Sequence, residues 1–252
     1  MMQCPKCGYT RKSTDDHVHR DICPACGIAY QKWLARQKPA TEKAFEEAIP
    51  EEEETLDVDH ISVWQRLTYV PENTDITTLS ARALLLVTLT LWWGSLTIHG
   101  IDWEVIGGSF MHNINLAFHE FGHVLFAPLG ELMMFLGGSL FQILLPLICL
   151  GVFSFQQHDN FAASIMLAWC GQSFVDVAPY IRDAEYRALP LVGGATEANH
   201  DWGNILTMLD AVSSCYTLAK ISFAIGVMVM LLGLAWSIYL LWLQYRSLPQ
   251  TH

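Results

Sequence analysis

His119, Glu120 and His123 carry the first chemical signal in this chain, inside the apolar run NINLAFHEFGHVLFAPLG at residues 113–130. On a helix, positions 119 and 123 are one turn apart and project from one face, so both imidazoles can reach a single metal ion. Glu120 then stands close enough to hold or deprotonate a water on that metal without being a ligand itself. The spacing is HExxH. Zinc held this way lowers the pKa of its water toward about 7, and the carboxylate can pass the proton on to a leaving amine. A polar cluster that merely bonds neighbouring helices is the plainer reading, but ionisable groups at membrane depth are costly and usually functional.

A catalytic zinc takes a third protein ligand and keeps a fourth position open. Asp176, in CGQSFVDVAPYIRDAEYRALP, is the leading candidate because it follows a long uncharged run near the end of an apolar segment. Asp183 comes seven residues later and shares that face if the helix survives Pro179. His200 and Asp201, in ANHDWGN, form a third choice, with a helix cap before Trp202 as their alternative role. His112 and Asn115 lie at i−7 and i−4 from His119 and are expected to support the ligands from behind, unless they simply mark a helix start at Asn113. Gly137 and Gly138 would let the next helix pack closely on the motif helix, where Gln142 could supply a hydrogen bond.

A second constellation lies at the amino end. Cys4 and Cys7 are separated from Cys23 and Cys26 by 15 residues, in two CPxC knuckles. So short a unit cannot bury enough core to offset its ordering entropy, and four thiolates around one zinc supply the missing staple. A redox pair or two disulfides would suit another context. His17 and His19, in the intervening loop, are expected to be solvated because four sulfurs already fill the site. Cys149, Cys170 and Cys215 are scattered through apolar sequence and read as small buried hydrophobes. MMQCPKCGYTRKSTDD has no apolar stretch of the kind a secretory signal needs, so a reducing compartment is expected for the amino end.

The elements that must hold these groups read as membrane helices. The 252 residues are 52% hydrophobic and 15% charged, which argues against an ordinary soluble domain. Of 14 Lys and Arg, only Arg82, Arg182, Arg187, Lys220 and Arg246 lie beyond Ala81. The net charge of −11 comes mostly from residues 42–60, where nine acids face Lys43 alone, so it gives no case for a nucleic-acid partner. Apolar stretches at Ala83–Ile98, His112–Leu129, Leu132–Phe155, Phe161–Tyr180 and Ile221–Tyr245 predict about five transmembrane helices, each near the roughly 20 residues a bilayer requires. Trp92, Trp93, Trp103, Trp202 and Trp242 fall near their ends, as interfacial aromatics do. The expected organisation is a zinc ribbon at 1–36, an acidic linker and interfacial segment at 37–80 with Trp64 and Tyr69 at the membrane surface, and an all-α polytopic membrane domain at 81–252. Basic residues before the first span place the amino terminus in the cytoplasm, although five crossings would then leave Arg246 outside.

The segment AFHEFGHVLFAPLG, with glycine before the second histidine, resembles the site-2 protease family of intramembrane zinc metalloproteases, and more closely its small branch lacking a PDZ domain. The resemblance covers about residues 83–190. It implies that His119 and His123 are zinc ligands, that Glu120 is the catalytic base, and that Asp176 or Asp183 stands in the place of the family's aspartate. Better-known members carry that aspartate in an NxxPxxxLDG segment, where this chain has QSFVDVAPYIRDA. The implied activity is hydrolysis of a peptide bond in a membrane or membrane-proximal protein, using one catalytic zinc beside the structural zinc of the ribbon. The ribbon would engage substrate or another cytoplasmic partner. The competing expectation is a non-catalytic metal-binding membrane protein, a sensor, trafficking factor or scaffold, with the ribbon as an interaction module.

Overall fold

The computed structural model describes residues 3–12, 15, 18–37, 62–71, 74–191 and 197–248. His17 and most of the expected acidic linker lie outside the described residues. The chain divides into two compact units, Met1–Ile61 and Ser62–His252.

In the first unit each CPxC knuckle closes in the same way. Gly8 donates its N–H to the Cys4 carbonyl and Gly27 does so to that of Cys23, each with a positive φ, 72° and 71°, that a side chain would strain. The two turns bring Cys4 Sγ within 3.8 Å of Cys26 Sγ and Cys7 Sγ within 3.7 Å of Cys23 Sγ. Those are far beyond disulfide length, and they match the edge of about 3.8 Å expected for a tetrahedron with zinc–sulfur bonds near 2.3 Å. Arg11 caps the carbonyls of Asp15, Val18, His19, Arg20 and Ile22 and so folds the loop between the knuckles. His19 is exposed beside Asp21, away from the sulfurs. Helix α1, Tyr30–Gln37, follows, and Tyr30 packs against Cys4 and Cys23.

The second unit is helical. Its elements are α2 (Val63–Leu67), α3 (Ile76–Thr97), α4 (Trp103–Ile106), α5 (Phe110–Phe126), α6 (Glu131–Gly151), α7 (Asn160–Arg182), α8 (Asp201–Met208) and α9 (Cys215–Arg246). Among the described residues four segments are long and apolar enough to cross a membrane: α3, α6 with its π-helical extension to Gln156, α7, and α9 with the turn before it. The fifth expected span falls short. Helix α5 has 17 residues and gives way at Ala127–Leu129 to a 3₁₀ turn containing Pro128. The first span starts earlier than the hydropathy suggests, because the Asp75 side chain accepts from the Thr78 N–H and caps the helix at Ile76. The boundary expected at residue 81 therefore lies inside α3.

Helix α7 is the most enclosed of the four. It packs on α9 through small residues: a methyl at Gly171, Gly226 or Gly233 would strike backbone of the facing helix. Ser164 and Ser237 share a hydrogen bond of 2.7 Å in the same interface. Leu86, Trp93, Leu96, Phe161, Ile165, Met230 and Leu234 form the apolar core beside it. Asn160 donates to the carbonyls of Arg66 and Tyr69, and Arg82 pairs with Asp159 at 3.0 Å, so α2 and the start of α3 are tied to the start of α7. The outer faces of α3 and α9 expose Leu84, Leu85, Val87, Leu91, Met228, Leu231 and Ile238.

Candidate metal centre and its cavity

The motif helix begins at Ser109, whose hydroxyl accepts from the Met111 N–H. Helices α5 and α6 meet through glycine. Gly122 and Gly137 touch backbone to backbone, and Gly138 faces the two motif histidines. This close approach lets α6 supply a hydrogen-bond acceptor to each imidazole. His119 Nδ1 lies 2.8 Å from Gln142 Oε1, and His123 Nδ1 lies 2.7 Å from the Met134 carbonyl. Both Nδ1 atoms are therefore the protonated ones, which leaves each Nε2 with its lone pair free to bind. The Gln142 amide is oriented in turn by donation to the Ser173 carbonyl at 3.3 Å.

The two Nε2 atoms converge on one carboxylate. Asp201 Oδ2 is 3.0 Å from His119 Nε2 and 3.2 Å from His123 Nε2. Two lone pairs facing a carboxylate oxygen repel unless a cation stands among them, and the three ligand atoms lie within 4.8 Å of one another, a spacing that suits a metal ion. The residues fit zinc. No family model matches this chain, and no curated protein or solved structure matches it either.

Asp201 owes its position to two neighbours. The Tyr180 hydroxyl accepts from the Asp201 N–H at 2.9 Å and donates to its Oδ2 at 3.2 Å. His200, fully buried, caps α8 by accepting from the Gly203 N–H at 3.0 Å through Nδ1, so its Nε2 carries the proton donated to Asp183 Oδ2 at 3.2 Å. Burial pushes the His200 imidazole down, against the pull of Asp183. We expect His200→Ala, which loses both the cap and the Asp183 link, to weaken zinc binding at this centre about 10- to 100-fold. His200→Asn, which keeps a capping group, should lie between, as competitive zinc titration would read.

The four candidates for the third ligand thus separate. Asp201 joins the histidines, Asp183 and His200 form the clasp that sets it, and Asp176 faces His112 at 3.1 Å instead. Asn115 does not support the ligands as expected. It bonds Gln172 at 2.8 Å and accepts from Trp169 at 2.9 Å, so its polar group joins α5 to α7. Tyr180 escaped attention in the sequence because a tyrosine near the end of an apolar helix reads as an interfacial anchor, although it stands one turn from Asp176. His112, His119, Glu120, His123, Asp176, Tyr180 and Asp201 all line one cavity of about 550 Å³. The rest of its wall is largely apolar, with Trp103, Leu116, Phe135, Val177, Leu189, Pro190 and Leu191.

Proposed function

We propose that the chain is an intramembrane zinc endopeptidase, similar in its chemistry to the site-2 proteases. The observation that carries the reading is the convergence of His119, His123 and Asp201 on the wall of a cavity that also takes in Glu120. Three protein ligands beside open space suit a catalytic site, whereas a purely structural zinc is closed by four. A zinc ion held there would supply Lewis-acid polarisation of the scissile carbonyl and acidify the attacking water. Glu120, which lines the cavity one residue from His119, would be the group that takes a proton from the attacking water and returns it to the departing amine. The apolar walls hold the peptide and keep bulk water away.

Four crossings, by α3, α6, α7 and α9, with the shorter α5 packed on α6, fit the exposed apolar faces of α3 and α9. They return Arg246 to the side of Arg82, in keeping with a cytoplasmic amino terminus. The ribbon, with its own zinc on Cys4, Cys7, Cys23 and Cys26, serves as a docking module for a cytoplasmic segment of substrate or partner.

Glu120→Gln is the test. It should keep both zinc ions while cutting the rate of cleavage of a membrane-spanning reporter by about 100-fold or more, the range of general acid–base catalysis. Full cleavage by that variant would remove the protease reading.

A further inference from the structure

Asp176 is a buried acid, 4% exposed, on an apolar helix, and it does not join the metal ligands. A carboxylate in that setting needs a partner. Its partners are His112, whose Nδ1 stands 3.1 Å from Asp176 Oδ1, and Gln142, whose Nε2 donates to Oδ2 at 3.5 Å, while the Trp103 ring meets the imidazole edge-on at 5.1 Å. Carboxylate and indole fix the ring from two sides. Among the described residues Nε2 makes no hydrogen bond, and His112, Asp176 and Trp103 all line the cavity of the metal centre. In its imidazolium form, which the Asp176 carboxylate favours, His112 gives Nδ1–H to Asp176 and keeps Nε2–H free, and the two groups are neutral as a pair. Such a pair suits an uncharged acceptor better than an anion.

His112 lies seven residues before His119 on α5, about 10 Å along the axis on nearly the same face. An extended peptide covers that distance in about three residues. Resting on the protease reading above, we infer that the His112–Asp176 pair is a substrate subsite that donates a hydrogen bond to a main-chain carbonyl about three residues from the cleaved bond. Leu116, one turn from each histidine on α5, and Val177, next to Asp176, supply apolar wall between this subsite and the metal centre. The requirement is thus an extended apolar peptide, held by its backbone instead of by a charged side chain.

The probe is a labelled peptide of alanine and leucine with blocked ends, which offers only main-chain acceptors. Its binding is measured on full-length, zinc-loaded Glu120→Gln protein in nanodiscs, with and without His112→Ala. The expected result is a Kd raised about tenfold by His112→Ala, as for losing one hydrogen bond to a charged group, with zinc content unchanged and with His112→Gln restoring binding to within about threefold. In the cleaving protein, KM should rise by a similar factor while kcat stays within about twofold. Equal binding by the two proteins, strong or absent, overturns the subsite, and so does loss of zinc or a fall in kcat alone. Failure of wild-type protein to cleave any membrane reporter would instead remove the protease reading and leave the binding result to stand on its own.

Discussion

On the protease reading, Asp201→Ala is expected to lower the zinc content from about two ions per chain to about one and to abolish cleavage, while Asp176→Asn should keep both ions. This follows from which carboxylate meets the histidines. Asp201 Oδ2 lies 3.0 and 3.2 Å from the two Nε2 atoms, whereas Asp176 is turned toward His112. With alanine at 201, two imidazoles remain, too few for a stable zinc site in this setting. The Tyr180 hydroxyl also loses the carboxylate it donates to. The cysteine cluster should keep its ion, because its four sulfurs belong to a separate compact unit. Metal analysis of the purified variants decides the matter. Loss of an ion in Asp176→Asn but not in Asp201→Ala would show that the ligand set is misassigned.

The ribbon and the motif helix were legible because both signals are local. Two CxxC pairs state a tetrahedral sulfur site in four positions, and HExxH states a helical face in five. The third ligand was not local. Ranking candidates by the cost of burying an acid favours Asp176, and Asp176 is buried, but His112 offsets that burial rather than a metal. Asp201 reads as an ordinary acid in the first turn of a helix, which it also is. Its second role depends on how the start of α8 is clasped to the end of α7 by His200, Asp183 and Tyr180, and no spacing rule reports that.

The helix pattern divides in the same way. Apolar runs located the four long helices, yet hydropathy could not tell that α5 falls short of them, because a half-buried helix and a lipid-facing one draw on the same apolar residues. What sets α5 apart is its length and the polar groups on its inner face: Asn115 bonded across to α7, and His119 and His123 bonded across to α6. Those bonds need α5 and α6 to approach closely. The paired glycines in GGSLFQ are the visible trace of that demand.

Gly138→Ala tests this demand at the centre itself. A methyl there would stand 2.5 Å from His119 Nε2, 2.7 Å from His119 Cδ2 and 2.7 Å from His123 Cε1, all closer than real contacts allow. Neither ring can move aside cheaply, since Gln142 holds one and the Met134 carbonyl the other. Either the rings turn and their lone pairs no longer meet at Asp201, or α6 retreats and both acceptors go with it. In each case zinc affinity at this centre should fall by about 100-fold and cleavage should vanish, with the ribbon ion retained. Gly151→Ala is the matched control on the same helix: its methyl would meet nothing within 4 Å, and alanine is the better helix former by about 0.5–1 kcal/mol. It should therefore leave metal and activity intact. Equal zinc affinity in Gly138→Ala and Gly151→Ala would mean that the histidines are not held where α6 now fixes them.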